Sequence, residues 1–195
     1  MLTEEKLNKN YLLYIDFLKK YDCYSQSMFD EIGEDIKVAS FSMNESSGSS
    51  YQGSMIDVVL RTLCVIGKHI NDGAFGGEEK DKHPLLKVDN NSLMRVLLLQ
   101  HISKCQIFKP STETWKINKG MFYEFNDKLS TSLKLGERSI YLCMKYGITL
   151  NEEEYEAIRI LDKDEDKNSS YTTPLSALVK MANHLASIEL YQKTK

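Results

Sequence analysis

Apolar residues recur at helical spacing along most of the chain. In "EEKLNKNYLLYIDFLKKY", Leu7, Tyr11, Ile15 and Leu18 fall three or four apart, which predicts an amphipathic opening helix. "SQSMFDEIG" predicts a short helix capped by Ser25 and stopped by Gly33. Ser54 reads as the cap of "MIDVVLRTLCVIGKHI", a run apolar enough to be largely buried. "LMRVLLLQHISKC" follows the same pattern, with Asn91 or Ser92 as its cap. "KLGERSIYLCMKYG" predicts a helix ending at Gly147, and Thr149 with Glu152 reads as a capping box for "NEEEYEAIRIL". Thr173 before Pro174 opens a last helix, "PLSALVKMANHLASIELYQ".

The period changes in one place. "ETWKI" and "MFYEF", separated by "NKG", predict a β-hairpin over about residues 113–125. Two polar stretches interrupt the helices: the Ser/Gly loop "SMNESSGSSYQGS" and a long segment from Asn71 to Asn90. The expected fold is therefore all-α with one small β-hairpin. It forms a single domain over residues 1–195, with N-terminal helices over 1–32 and a core over 33–192. Val58, Leu60, Leu97, Leu98, Ile158 and Leu178 are expected in the core.

Composition leaves this picture intact and removes some functions. An apolar content of 42% with a net charge of −3 is that of an ordinary folded domain. A slightly acidic chain lacks the electrostatic footprint of a nucleic-acid binder. No apolar run reaches the ~20 residues a membrane helix needs. The charged start "MLTEEKLNKN" does not read as a secretory signal, and the expected location is the cytoplasm, or the virion for a phage product. Cys23, Cys64, Cys105 and Cys143 lie far apart with no CxxC pair, so they read as reduced core thiols.

The order of motifs resembles the HD-domain superfamily of metal-dependent phosphohydrolases, in particular its small phage and bacterial members. The first landmark is "YQGSMIDVVLRTL", where Gly53, Ile56, Asp57, Leu60 and Arg61 fit the family pattern and Val58 stands in a histidine position. "LLLQHISKC" is similar to the segment that names the family, with Gln100 for its histidine, His101 for its aspartate, and Lys104 kept. "LKLGERSIYL" carries Glu137 where relatives have histidine. "EEYEAIRILDKDED" has Leu161 at another histidine position. "LVKMANHLAS" has Asn183 in place of the last aspartate.

The resemblance implies a helical fold and a vestigial metal centre at Val58, Gln100, His101, Glu137, Leu161 and Asn183. Valine and leucine cannot ligate, and neutral amide oxygens are weak donors to transition metals. Without the cage there is no acidified water to attack a phosphoester. The expectation is a catalytically inactive protein with no catalytic residue, no bound metal and no cofactor. Lys104, Arg138 and Arg159 match or neighbour family positions that face phosphate, and they are the candidates for binding an anion.

Other chemistry is thinner. Asp162, Asp164 and Asp166 lack the glycine and the final glutamate of a calcium loop, so a solvated loop is expected. His69, His83 and His184 have no ligand spacing. Pairing Cys64 or Cys143 with a histidine as a nucleophile has no local signature behind it. The 11 tyrosines suit a protein interface as well as a core boundary.

The functional expectation is a structural or protein-interaction module, forming a homo- or hetero-oligomer. The class of relatives adds a phage particle or assembly component of ring or connector type. The alternatives are a nucleotide phosphohydrolase with rearranged ligands, or a nucleotide or phosphate sensor that does not hydrolyse. If the fold serves assembly, the segments 44–50 and 71–90 are expected to order against a partner.

Overall fold

In the computed structural model, residues 2–43, 47–71, 88–129, 132–160 and 172–192 are described; side chains 69–71 and 189–192 are not. The elements are α1 (Glu4–Lys20), α2 (Gln26–Val38), α3 (Ser54–Asn71), α4 (Asn90–Leu99), α5 (Lys104–Ile107) and β1 (Phe108–Pro110). They continue as α6 (Thr114–Asn118), β2 (Tyr123–Phe125), α7 (Leu135–Lys145), α8 (Glu152–Arg159) and α9 (Pro174–Gln192). This is an all-α fold with one two-stranded antiparallel sheet.

The core forms where α3, α4, α8 and α9 pack on one another, with α1 and α2 laid against α3. Leu97, Leu98, Ile158, Leu178 and Val58 are buried as their spacing predicts. Leu60 is only half-buried, because it sits at the edge of the α3 stripe and packs against the core from outside. Tyr14 and Leu18 are the fully buried members of the α1 face, and Leu7, Tyr11 and Ile15 flank them.

Several predicted boundaries move, each for a visible reason. Gly33 does not stop α2, which runs on to Val38. Gly33 is a packing glycine: a Cβ there would lie 2.9 Å from the Tyr11 hydroxyl oxygen. Ser25 occupies the cap of α2, but its hydroxyl donates to the Tyr146 carbonyl instead. Ser54 is also not a cap. Its Oγ accepts from Phe41 N–H at 2.8 Å and donates to the Ser49 carbonyl at 2.7 Å, tying the preceding loop to α3. The turn before it needs Gly53, whose φ is +77° with the backbone oxygen of Lys37 3.3 Å from where a Cβ would stand.

The cap of α4 is Asp89, whose carboxylate accepts from Ser92 N–H at 2.9 Å; Asn91 and Ser92 lie inside the first turn. The capping box of α8 is Asn151 with Glu154, two residues beyond the predicted pair. Thr173 caps α9 as expected, accepting from Ser176 N–H.

The hairpin is displaced. Its second strand is β2, but the first is β1, in register Phe108↔Phe125. "ETWKI" instead forms α6, where the Glu113 carboxylate accepts from the Trp115 indole N–H and the Lys116 ammonium, and Gly120 at φ +76° ends the turn. The alternation was outweighed by these local contacts, of which the Lys116–Glu113 pair spans one helical turn. Among the described residues no helix is long and apolar enough to cross a membrane.

Candidate functional site

The apolar run "VLLLQHISKC" does not continue as one helix. α4 ends at Leu99, residues 100–103 turn, and α5 begins at Lys104. A helix that stops inside a core leaves carbonyls without partners. Here side chains from elsewhere supply them. The Tyr14 hydroxyl donates to the Leu98 carbonyl at 2.8 Å, and the Ser139 hydroxyl to the Gln100 carbonyl at 2.9 Å. Ser139 Oγ also accepts from Ser103 N–H at 3.2 Å. The turn is thus stitched to α1 and α7, and it carries Gln100 and His101 in fixed directions.

Gln100 is 2% exposed and faces α9. Its Nε2 donates to Asn183 Oδ1 at 3.1 Å, and Asn183 Nδ2 donates to Gln100 Oε1 at 2.9 Å. Two amides so arranged satisfy each other's facing donors and acceptors without any charge. Such a clasp ties α4 to α9. Val58, on α3, is 4% exposed.

His101 points elsewhere. Its ring meets Phe41 edge-on, with centroids 4.8 Å apart at 79°. Burial of the imidazole pushes its pKa well below the usual value, and the Lys104 ammonium adds to the shift. The ring is neutral at physiological pH. Lys104 is buried, donates to the Phe41 carbonyl at 2.7 Å, and lies 3.8 Å from the centroid of the Phe41 ring. Together His101 and Lys104 fasten the segment after α2 to the turn.

The remaining predicted positions scatter. Glu137 is exposed in the first turn of α7, where its carboxylate accepts from Lys134 N–H at 3.1 Å; a helix cap explains it. Arg159 is exposed at the end of α8. Leu161 and the acidic run Asp162 to Asp166 lie outside the described residues, as do His83 and most of the segment 71–90. Of the three candidate anion ligands, Arg138 lines a cleft. That cleft, of about 700 Å³, opens between α2, α5, α7 and the β1–β2 ribbon. Among the described residues no three histidine, cysteine or carboxylate side chains gather at metal-binding distance.

The thiols divide. Cys23, Cys105 and Cys143 are buried, and burial raises each to a pKa of about 12, which makes them poor nucleophiles. Cys64 is exposed on α3, not in the core. His184 is exposed on α9.

One buried polar group that motif reading passed over is Arg95, inside "LMRVLLL" of α4. Its Nε donates to Glu154 Oε1 at 2.9 Å, and its Nη atoms donate to the carbonyls of Tyr21, Asp22 and Thr149. A charge within an apolar helical run was the available signal, since a buried guanidinium requires a partner. It is a structural hub on the same helix as Gln100, with partners separate from those of the clasp.

Compared with known proteins, the chain matches no family model, no curated protein and no solved structure. The likeness to the HD-domain superfamily rests on the five sequence landmarks.

Proposed function

We propose that the chain is a catalytically inactive, HD-like helical module that works by binding protein. The observation that carries this reading is the reciprocal amide clasp between Gln100 and Asn183. At two positions where the resemblance calls for a histidine and an aspartate, the side chains hold each other. The third position, Val58, offers no donor atom. A metal-activated water has nothing charged to assemble on in such a centre. What the fold offers instead is surface: Trp115, Phe122 and Phe125 stand exposed around the ribbon, and Tyr141 and Met144 on α7. Exposed aromatic residues and methionine of this kind are enriched in protein interfaces. In the setting the resemblance implies, the module is one component of a larger assembly.

The test is a hydrolysis screen with nucleotides and other phosphoesters, in the presence of magnesium or manganese. Wild-type protein is expected to show no turnover above buffer. Turnover that chelator abolishes and that Gln100→Ala reduces would overturn the proposal. A second reading, an anion sensor, is favoured by one observation: Arg138, 5% exposed, borders the cleft. Calorimetric titration with inorganic phosphate and nucleotides separates it, since a sensor binds and Arg138→Gln weakens the binding.

A further inference from the structure

We infer that α1 pairs with α1 of a second copy, antiparallel across a two-fold axis. The core side of α1 centres on Tyr14 and Leu18, which are fully buried. At about 100° per residue, Glu5, Lys9, Leu12, Leu13, Asp16 and Lys20 fall together on the opposite side, in a single stripe along the helix. All six are exposed. Leu12 is 61% exposed and Leu13 42%, so two leucines stand in water in the middle of a 17-residue helix.

Local chemistry accounts for part of the stripe only. The helix dipole favours Glu5 in the first turn and Lys20 in the last. It gives no reason for Lys9 and Asp16, which lie further inside with the opposite order of sign, nor for the leucines. Glu5 with Lys9, and Asp16 with Lys20, have the spacing of pairs within a helix. Neither closes to ion-pair distance, and among the described residues none of the four makes a salt bridge. The Lys20 ammonium lies 5.3 Å from the Tyr21 ring centroid.

The order of the stripe is acid, base, two leucines, acid, base, and it is complementary to its own reverse. In an antiparallel pair with its axis between Leu12 and Leu13, Glu5 comes opposite the partner's Lys20 and Lys9 opposite the partner's Asp16. The symmetry repeats both pairs. The leucines of the two copies meet at the axis and leave water together. Sliding one helix by a turn sets Glu5 against the partner's Asp16, or Lys9 against the partner's Lys20. A parallel pair in register sets every charge against its like. The stripe thus selects a second copy, one direction and one register. None of the six residues joins the clasp or lines the cleft. The inference supplies a partner for the interaction-module reading and stands independently of it. A helix face about 25 Å long and about 10 Å wide covers far less than the roughly 1,200 Å² of a lasting interface, so the pair forms and separates with concentration.

Sedimentation velocity on the full chain, from about 10 μM to about 1 mM, tests this. Wild type is expected to pass from monomer to dimer over that range. Lys9→Glu and Asp16→Lys each set like charges opposite one another, and each alone should weaken the dimer about tenfold. Mixed in equal amounts, the two variants should dimerise as wild type does, because each supplies the charge that the other needs. Circular dichroism checks that the helices of each variant are intact. Leu12→Gln with Leu13→Gln, an uncharged change that keeps helix propensity, should abolish the dimer by a separate route. A wild type that stays monomeric throughout the range overturns the inference. So does a dimer that the glutamine variant leaves unchanged, or a mixture of the charge variants no stronger than either alone. None of these results touches the inactive centre, which the hydrolysis screen judges separately.

Discussion

Replacing Arg95 with methionine should be among the most damaging single changes in the molecule. Arg95 is 9% exposed and Glu154 2%. Removing the arginine leaves a buried carboxylate without its ion partner. It also strips donors from the carbonyls of Tyr21, Asp22 and Thr149, which hold the end of α1 and the approach to α8. Asp22 sits at φ +51°, a backbone state that a non-glycine residue keeps only when its surroundings enforce it. Breaking one side of a buried pair costs about 3–5 kcal/mol. In urea, with a slope of about 2–3 kcal/mol/M, a loss near 4 kcal/mol lowers the unfolding midpoint by about 1.3–2 M. Glu154→Gln should cost less, about 1–3 kcal/mol, since the single amide oxygen still accepts from Arg95 and only the bond from Asn151 N–H is lost. The double change Arg95→Met with Glu154→Leu should recover at least about 1 kcal/mol of the summed single costs. A midpoint for Arg95→Met within about 0.5 kcal/mol of wild type would refute the reasoning, and so would strict additivity.

Ser139→Ala should destabilise by about 1–3 kcal/mol, because it leaves the Gln100 carbonyl and Ser103 N–H without their buried partner; denaturant midpoints measure it. Leu98→Ala should cost about 2–5 kcal/mol by opening a cavity in a fully buried site, and a loss within about 0.5 kcal/mol would place Leu98 outside the core. His101 gives a pH dependence whose sign is fixed: its folded pKa lies below the usual 6.5, so the unfolded chain binds the extra proton. Its contribution is present above that value and is lost as pH falls through it toward the folded pKa, at up to about 1.4 kcal/mol per pH unit. Thermal or urea midpoints of wild type and His101→Gln between pH 7 and 5 should therefore converge; parallel curves would contradict it.

The helix faces were legible because each records local chemistry repeated over several turns. The apolar spacing of α1, α3 and α9 needs no tertiary information to be read. Termini were less legible where a second side chain nearby could do the same job, as with Asp89 for Asn91 or Ser92, and Asn151 for Thr149. Gly33 misled because a glycine that ends a helix and one that admits a tyrosine hydroxyl look alike in sequence. The ribbon was found but its first strand misplaced, since Trp115 and Ile117 alternate as a strand would yet sit on a one-turn helix. In the site, Gln100 and Asn183 were named together and meet, whereas Glu137 and Arg159 serve a cap and a surface. The break in α4 was not legible, because its partners Tyr14 and Ser139 come from distant segments.

The most direct test of the central claim is the metal content of the full chain. Protein purified without chelator, equilibrated with manganese and passed through a desalting column, should carry no stoichiometric manganese, iron, zinc or nickel by elemental analysis. One tightly held ion per chain, released on Asn183→Ala or Gln100→Ala, would contradict the account and return the centre to catalysis.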